Sequence, residues 1–227
     1  MHPHQPATKL SMLAGVFLSL LLFALILYSE KILVAFGATP LSFQNSLIFS
    51  RMLLWLWIVL LYLYAIRVEH QPLIFWKPVK NSVLFFFLSA IIVIFCVFAG
   101  SVLLEAVEKY FGATDSSKKL TELLDVFRHN KSLLFFTVFT AAIVEELYFR
   151  AYLISRLQLL CRNAYLPVIL SSIAFGLAHA GFNNVSQMIN TTFIGLVSAI
   201  YYSKYRKISV LIVVHFFIDI IGLYSRM

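Results

Sequence analysis

Ionisable side chains that could do chemistry are concentrated inside apolar stretches of the C-terminal half of the chain. The carboxylates are Glu145, Glu146 and Asp219, and the imidazoles are His179 and His215. The other acidic residues and histidines lie in loops or at the ends of apolar stretches. A charged side chain at the centre of a membrane costs at least about 2.5–3.5 kcal/mol. The clustering therefore predicts a polar cavity inside an otherwise apolar protein.

The spacing of these residues predicts which side chains share a helix face. Glu146 and Arg150 are four residues apart and can pair, and the same holds for His215 and Asp219. Glu145 lies about 100° round the helix from Glu146 and has no local partner. That makes Glu145 the candidate general base for proton abstraction.

Other polar residues in the apolar stretches have simpler interpretations. Arg51 lies near the start of one stretch, and we expect its side chain to extend to the membrane interface. Asn190, Thr191 and Thr192 are expected to bridge helices by hydrogen bonds. The ionisable cluster itself could in principle be structural, locking helices together.

The elements that must position these residues are membrane-spanning helices. Of 227 residues, 61% are hydrophobic and 12% are charged, whereas a soluble domain carries about 25% charged residues. A hydrocarbon core about 30 Å thick needs about 20 apolar residues in a helix. Such stretches occur at about 10–28, 47–66, 83–104, 132–153, 166–179, 185–202 and 208–223. We therefore predict one all-α domain over residues 1–227, a transmembrane bundle of seven or eight spans, and exclude a soluble enzyme.

The basic residues predict how the chain is oriented. With the N-terminus in the cytoplasm, nine Lys and Arg residues face inwards and two face outwards, leaving aside a charge-balanced loop at 105–131. The inward residues are Lys9, Arg67, Lys77, Lys80, Arg156, Arg162, Lys204, Arg206 and Lys207. The net charge of +8 thus suits anionic lipid headgroups, and we expect no nucleic-acid partner.

An amphipathic helix is predicted near residues 118–130. Leu120, Leu123, Leu124 and Phe127 have the i, i+3, i+4, i+7 spacing of one apolar face. We expect this helix to lie in the membrane interface, and a gate for substrate is the alternative.

Three motifs on three separate stretches together resemble one family of membrane proteins. They are Glu145-Glu146-x-x-x-Arg150, Phe175-x-x-x-His179 and His215-x-x-x-Asp219. Their order and spacing resemble those of the CAAX-protease and bacteriocin-processing family of glutamic-type intramembrane proteases. The resemblance covers about residues 132–223, which would form the catalytic core. It implies an endopeptidase that hydrolyses a peptide bond in a membrane-associated protein or peptide.

The resemblance also implies roles for individual residues. Glu145 would activate water, His179 would help to hold it, and His215 with residue 219 would stabilise the oxyanion. The residues that would shape and orient the site are Glu146, Arg150 and Phe175. The best-known prenyl-protein proteases of the family have Asn where this chain has Asp219. An ionised carboxylate cannot donate to an oxyanion, so we expect Asp219 to orient His215.

Several alternatives stay open at this point. Glu145, His179 and His215 could instead bind zinc with a water as the fourth ligand, although no His-Glu-x-x-His motif is present. We expect no cofactor. A non-catalytic partner, such as a bacteriocin self-immunity protein, and a transporter are the other functions considered. We expect a multi-pass protein of a bacterial plasma membrane, and the sequence does not indicate its substrate or oligomeric state.

The depths in the membrane that these boundaries predict for Glu145, His179 and His215 do not agree. At about 1.5 Å per residue, Glu145 and His215 come out near mid-membrane, whereas His179 comes out nearer the outer face. The three side chains can meet only if the helix that carries His179 begins deeper or is tilted.

Overall fold

The computed structural model describes residues 8–74, 82–110, 118–182 and 184–227. Its α-helices are α1 (Lys9–Leu27), α2 (Ser29–Ala35), α3 (Phe43–Arg67), α4 (Val83–Tyr110), α5 (Lys118–His129), α6 (Lys131–Glu145), α7 (Ser155–Leu160), α8 (Leu166–Ala178), α9 (Val185–Tyr205) and α10 (Ile208–Tyr224). A π-helical segment, Glu146–Ile154, joins α6 to α7, and a short 3-10 turn, Ala180–Phe182, follows α8. The described residues contain no β-strand, as predicted for an all-α protein.

Each predicted apolar stretch coincides with a helix. Within the described ranges, four helices are long and apolar enough to cross a membrane, namely α1, α3, α4 and the continuous helix Lys131–Leu160. Apolar α8 and α10 are shorter, with 13 and 17 residues. The count of seven or eight spans therefore stays a prediction. So does the orientation, for which Lys77 and Lys80 lie outside the described residues.

The outer surface of the bundle is apolar. Large side chains point outwards along α1 and α4, among them Phe17, Phe87 and Phe95, which are 66%, 59% and 70% exposed. Apolar surface of this extent is not found on soluble monomers. The chain is therefore an integral membrane protein.

The helix Lys131–Leu160 lies at the centre of the bundle. In its most apolar window 61% of the residues are buried, against 22–28% in α1, α3 and α4. Val144, Tyr148 and Tyr152 are fully buried in it. It packs against α3, α8, α9 and α10, so the carboxylates that it carries lie inside the protein.

Close packing on α9 fixes the position of α8, the helix that ends just before His179. A Cβ added at Gly176 would lie 2.9 Å from the carbonyl oxygen of Met188, and one at Gly195 would lie 3.2 Å from Phe175. Glycine at these two positions lets the helix backbones approach more closely than a larger residue would permit.

The predicted amphipathic helix is present as α5, but its apolar face packs on protein. Leu123 and Phe127 are buried in a cluster with Leu133, Leu134 and Val138 of α6. The two helices are joined at Asn130, whose side chain caps α6 by accepting a hydrogen bond from the Leu133 N–H at 3.0 Å. This tight connection folds α5 back onto the bundle, so Leu123 and Phe127 contact protein.

A buried ion pair fastens the far end of α3 to the central helix. Arg156 lies 2.8 Å from Glu69, and neither side chain is exposed. The Tyr152 hydroxyl donates to Glu69 at 2.9 Å, and Arg156 donates to the Pro72 carbonyl at 3.0 Å. The sequence interpretation placed Glu69 in a loop or at the end of an apolar stretch and Arg156 beyond another stretch, and it did not predict that they pair. The segment after α3 brings the two side chains together in a buried contact.

Removing one member of this pair should destabilise the protein strongly. An Arg156→Met substitution leaves Glu69 buried and unpaired, which costs about 3–5 kcal/mol. At about 2–4 °C per kcal/mol, we expect the apparent Tm in detergent to fall by at least about 6 °C.

The matched control is Arg162→Met, because Arg162 is exposed two residues beyond the same helix. It should leave the Tm unchanged. The double variant Glu69→Leu/Arg156→Met should recover much of the loss, because it leaves no buried charge unpaired. Equal Tm values for Arg156→Met and Arg162→Met would contradict this account of the ion pair.

Candidate active site

Five of the seven predicted site residues line a cavity inside the bundle. The cavity has a volume of about 40 Å³ and lies between the π-helical segment, α8, α9 and α10. Its lining includes Glu146, Phe175, His179, Thr191, Ser198, His215 and Asp219. Residues from all three sequence motifs thus line one space, as the sequence predicted for a polar cavity.

Glu146 contacts two nitrogen-containing side chains, Arg150 and His215. Its Oε1 lies 3.0 Å from the guanidinium of Arg150 and 2.9 Å from Nδ1 of His215. The predicted pairing of Glu146 with Arg150 is therefore present, and both side chains are 1% exposed. The contact with Arg150 is an ion pair without hydrogen-bond alignment, since the Arg150 guanidinium nitrogens have no hydrogen-bond partner among the described residues.

His215 lies between two carboxylates. Nδ1 faces Glu146 at 2.9 Å, and Nε2 faces Asp219 at 3.5 Å. The sequence suggested that Asp219 orients His215, but the shorter contact is the one to Glu146, 69 residues away in the chain. Both contacts can be hydrogen bonds at once only if both ring nitrogens carry protons or one carboxylate does.

Glu145 lies beside this cluster and does not line the cavity with it. Its side chain is 7% exposed, and its buried Oε2 has no hydrogen-bond partner in the described parts of the chain. Its charge acts on Arg150 and, on the α3 side, on Arg51. Glu145 thus has the unpaired character that the sequence predicted.

His179 reaches the cavity from the C-terminal end of α8. Its Nδ1 is 2.9 Å from the Phe175 carbonyl oxygen, which directs Nε2 away from that helix. Helix α8 has 13 residues and so extends only about 20 Å. The conflict over depth is resolved by this short helix, which ends inside the bundle at the level of the other site residues.

Phe175 packs between the charged members of the site. The Arg150 guanidinium lies 4.3 Å from the centre of its ring, close enough for a cation–π contact. The rings of His179 and His215 are 5.1 and 6.0 Å away. Phe175 thus excludes water from one side of Arg150 and separates the two imidazoles.

The sequence interpretation missed two features of the site. The π-helical segment begins at Glu146 and has no local sequence signal, although such segments are frequent at functional sites. Arg51 was expected at the membrane interface, yet its Nε is buried, and the charges of Glu145 and Asp219 act on it. The sequence feature that could have indicated a buried Arg51 is that it is the only charged residue between 47 and 66.

Two other polar residues have structural partners. Asn190 accepts a hydrogen bond from Ser101 of α4 at 2.7 Å, so it bridges two helices as expected. Thr192 donates to the Met188 carbonyl at 2.7 Å within α9. Among the described residues, no three His, Cys, Asp or Glu side chains are placed to hold one metal ion. The zinc alternative is therefore left to experiment.

Comparison with known proteins points to one family. No curated protein and no solved structure gave a significant match. A family model described as type II CAAX prenyl endopeptidase Rce1-like matches residues 128–221. This segment contains all three motifs and every helix that lines the cavity. The match confirms the resemblance drawn from the motifs: residues 128–221 are similar to the Rce1-like type II CAAX prenyl endopeptidase family, which is a family of proteases.

Proposed function

We propose that this protein is an intramembrane endopeptidase that hydrolyses a peptide bond in a membrane-associated substrate. The observation that carries the proposal is the cavity in which Glu146, His179, His215 and Asp219 meet inside an apolar bundle. Charged side chains in such a place are costly and mark functional sites. The family match at residues 128–221 supports peptide hydrolysis as the chemistry.

In the first step, Glu145 takes a proton from a water molecule as the water oxygen attacks the scissile carbonyl carbon. We assign this role to Glu145 because the carboxylate of Glu146 is already in direct contact with Arg150 and His215. The buried Oε2 of Glu145 has no such contact among the described residues. His179 holds the water through Nε2, since Nδ1 faces the Phe175 carbonyl.

In the second step, the carbonyl oxygen becomes a negatively charged oxyanion. His215 donates to it from Nε2, the ring nitrogen that faces Asp219 across 3.5 Å. Glu146 holds the opposite nitrogen and so fixes the ring. A preorganised donor of this kind is worth about 2.7–4 kcal/mol in the transition state.

In the third step, the tetrahedral intermediate collapses and the C–N bond breaks. Glu145 returns its proton to the departing nitrogen, so that one product ends in an amine and the other in a carboxylate. No cofactor enters this scheme. We further propose, from the distribution of basic residues, that the N-terminus is cytoplasmic in a bacterial plasma membrane.

The substitution Glu145→Gln should abolish proteolysis, because it removes the base but keeps the shape of the side chain. The measurement compares the termini of membrane proteins in cells that carry the wild-type chain or the variant. We expect new termini with wild type alone, and these would also identify the substrate. The matched control is Glu122→Gln, on the exposed face of α5, which should behave as wild type.

Identical termini with both proteins, at equal abundance, would contradict the proposal and favour a non-catalytic role. Once a substrate is identified, adding 1,10-phenanthroline to the purified enzyme tests the zinc alternative. Our scheme predicts unchanged turnover, and loss of turnover that zinc restores would contradict it.

The substitution Asp219→Asn should lower turnover by tenfold or more. The carboxylate of Asp219 faces Nε2 of His215 and, in this scheme, keeps that nitrogen protonated for the oxyanion. An amide oxygen attracts the proton less strongly. The measurement is kcat on the identified substrate at matched protein abundance. Unchanged or raised kcat would contradict the orienting role and favour direct donation from residue 219.

A further inference from the structure

The cavity of the candidate active site is narrow and elongated. Its lining residues on α9 are Thr191, Ile194 and Ser198, whose i, i+3, i+7 spacing places them on one helix face. The helix rises about 10.5 Å between the first and the last of them. A volume of about 40 Å³ over that length leaves room for little more than a single file of water molecules.

His179 and Ser198 lie at opposite ends of this cavity. Gly176 of α8 lies directly against the Met188 carbonyl of α9, so His179, three residues after Gly176, lies near the N-terminal end of α9. Ser198 is ten residues beyond Met188, or about 15 Å along the helix. The proposed mechanism uses the His179 end of the cavity and leaves Ser198 without a role.

The Ser198 hydroxyl is a buried polar group without a partner in the described parts of the chain. The residue is 6% exposed, and its side chain makes no hydrogen bond to any described residue. Other buried serines differ, since Ser155 and Ser172 donate to the carbonyl oxygens four residues earlier in the chain at 2.6 and 2.7 Å. Because a buried hydroxyl is costly to leave unpaired, we expect a molecule inside the cavity to supply the contact.

Water is the ligand whose size fits the cavity. One water molecule needs at least about 10–15 Å³ of such volume, so a cavity of about 40 Å³ holds about three. A file of three waters makes four hydrogen bonds of about 2.8 Å between the Ser198 Oγ and a polar group at the other end, a span of about 11 Å. That span agrees with the length of the cavity, whose other end is lined by His179.

We propose that the cavity binds a file of about three water molecules, anchored by the Ser198 hydroxyl, and that this file supplies the water for hydrolysis. The supply role rests on the proposed protease function. Each cleavage adds the hydroxyl of one water to the carbonyl carbon and its other proton to the departing nitrogen, so each turnover consumes one water molecule. Because the bilayer core contains no water, a stored file replaces that molecule fastest. Ser198 touches no substrate in this scheme and is a positioning residue.

Hydroxyl-radical footprinting tests for the water file without reference to activity. X-rays generate radicals from water bound inside the purified protein, and these radicals oxidise the side chains beside it. Phe175 lines the cavity and is 3% exposed, whereas its neighbour Phe149 is 1% exposed and lies outside the lining. We expect Phe175 to be oxidised at least threefold faster than Phe149. Equal rates for the two phenylalanines would overturn the proposal, whether or not the protein is a protease.

The matched variants place valine at two serines of the same helix. Ser198→Val replaces the anchor by methyl groups, and Ser203→Val does so at a buried hydroxyl that also has no described partner but lies outside the cavity lining. Ser198→Val should slow the oxidation of Phe175 at least threefold without lowering the Tm, and Ser203→Val should leave it unchanged. If Ser198→Val does not fold, Ser198→Ala and Ser203→Ala give the same comparison. Equal oxidation of Phe175 in both variants would overturn the role of Ser198 as anchor.

Turnover of the identified substrate tests the supply role of the file. The kcat of Ser198→Val should be at least tenfold below that of wild type with KM within twofold, because the water supply is changed and substrate binding is not. Ser203→Val should retain both constants. An unchanged kcat, or a loss that lies wholly in KM, would overturn the supply role. Fast oxidation of Phe175 without any proteolysis by wild type would count against the proposed activity alone.

Discussion

The cost of holding charges inside an apolar bundle constrains the whole structure. Removing one partner of a buried ion pair costs about 3–5 kcal/mol, so each charged group needs partners from neighbouring helices. Glu146 supplies them for two groups at once, since it contacts Arg150 on its own helix and His215 on α10. The contacts that offset the cost of burying these groups also hold the His215 imidazole in the cavity. Stability and the proposed chemistry therefore depend on one carboxylate.

The rest of the fold holds in place the central helix, which carries Glu146. At one end, Glu69 and Arg156 tie the segment after α3 to α7. At the other end, α5 packs on α6 through Phe127 and Leu123. Between them, the close approach of α8 and α9 at Gly176 places the helix that ends before His179. The central helix is thus fixed at both ends, with Glu146 lining the cavity.

Much of this arrangement could be predicted from local sequence patterns. The apolar stretches predicted the positions of the helices, and the four-residue spacing predicted the Glu146–Arg150 pair. Contacts between distant segments could not be predicted. The link from Glu146 to His215 spans 69 residues and that from Glu69 to Arg156 spans 87, and neither has a local signal. The burial of the Arg51 Nε has no local signal for the same reason, since it depends on how α3 packs against its neighbours.

The central claim is that Glu146 stabilises the buried charges whereas its neighbour Glu145 is left unpaired for catalysis. The most direct measurement compares thermal unfolding of purified Glu146→Gln and Glu145→Gln, the same substitution at adjacent residues. We predict that Glu146→Gln loses about 3–5 kcal/mol, because Arg150 loses its charged partner. Glu145→Gln should be as stable as wild type or more so, because the variant buries no unpaired charge. Equal losses, or a greater loss in Glu145→Gln, would contradict the account.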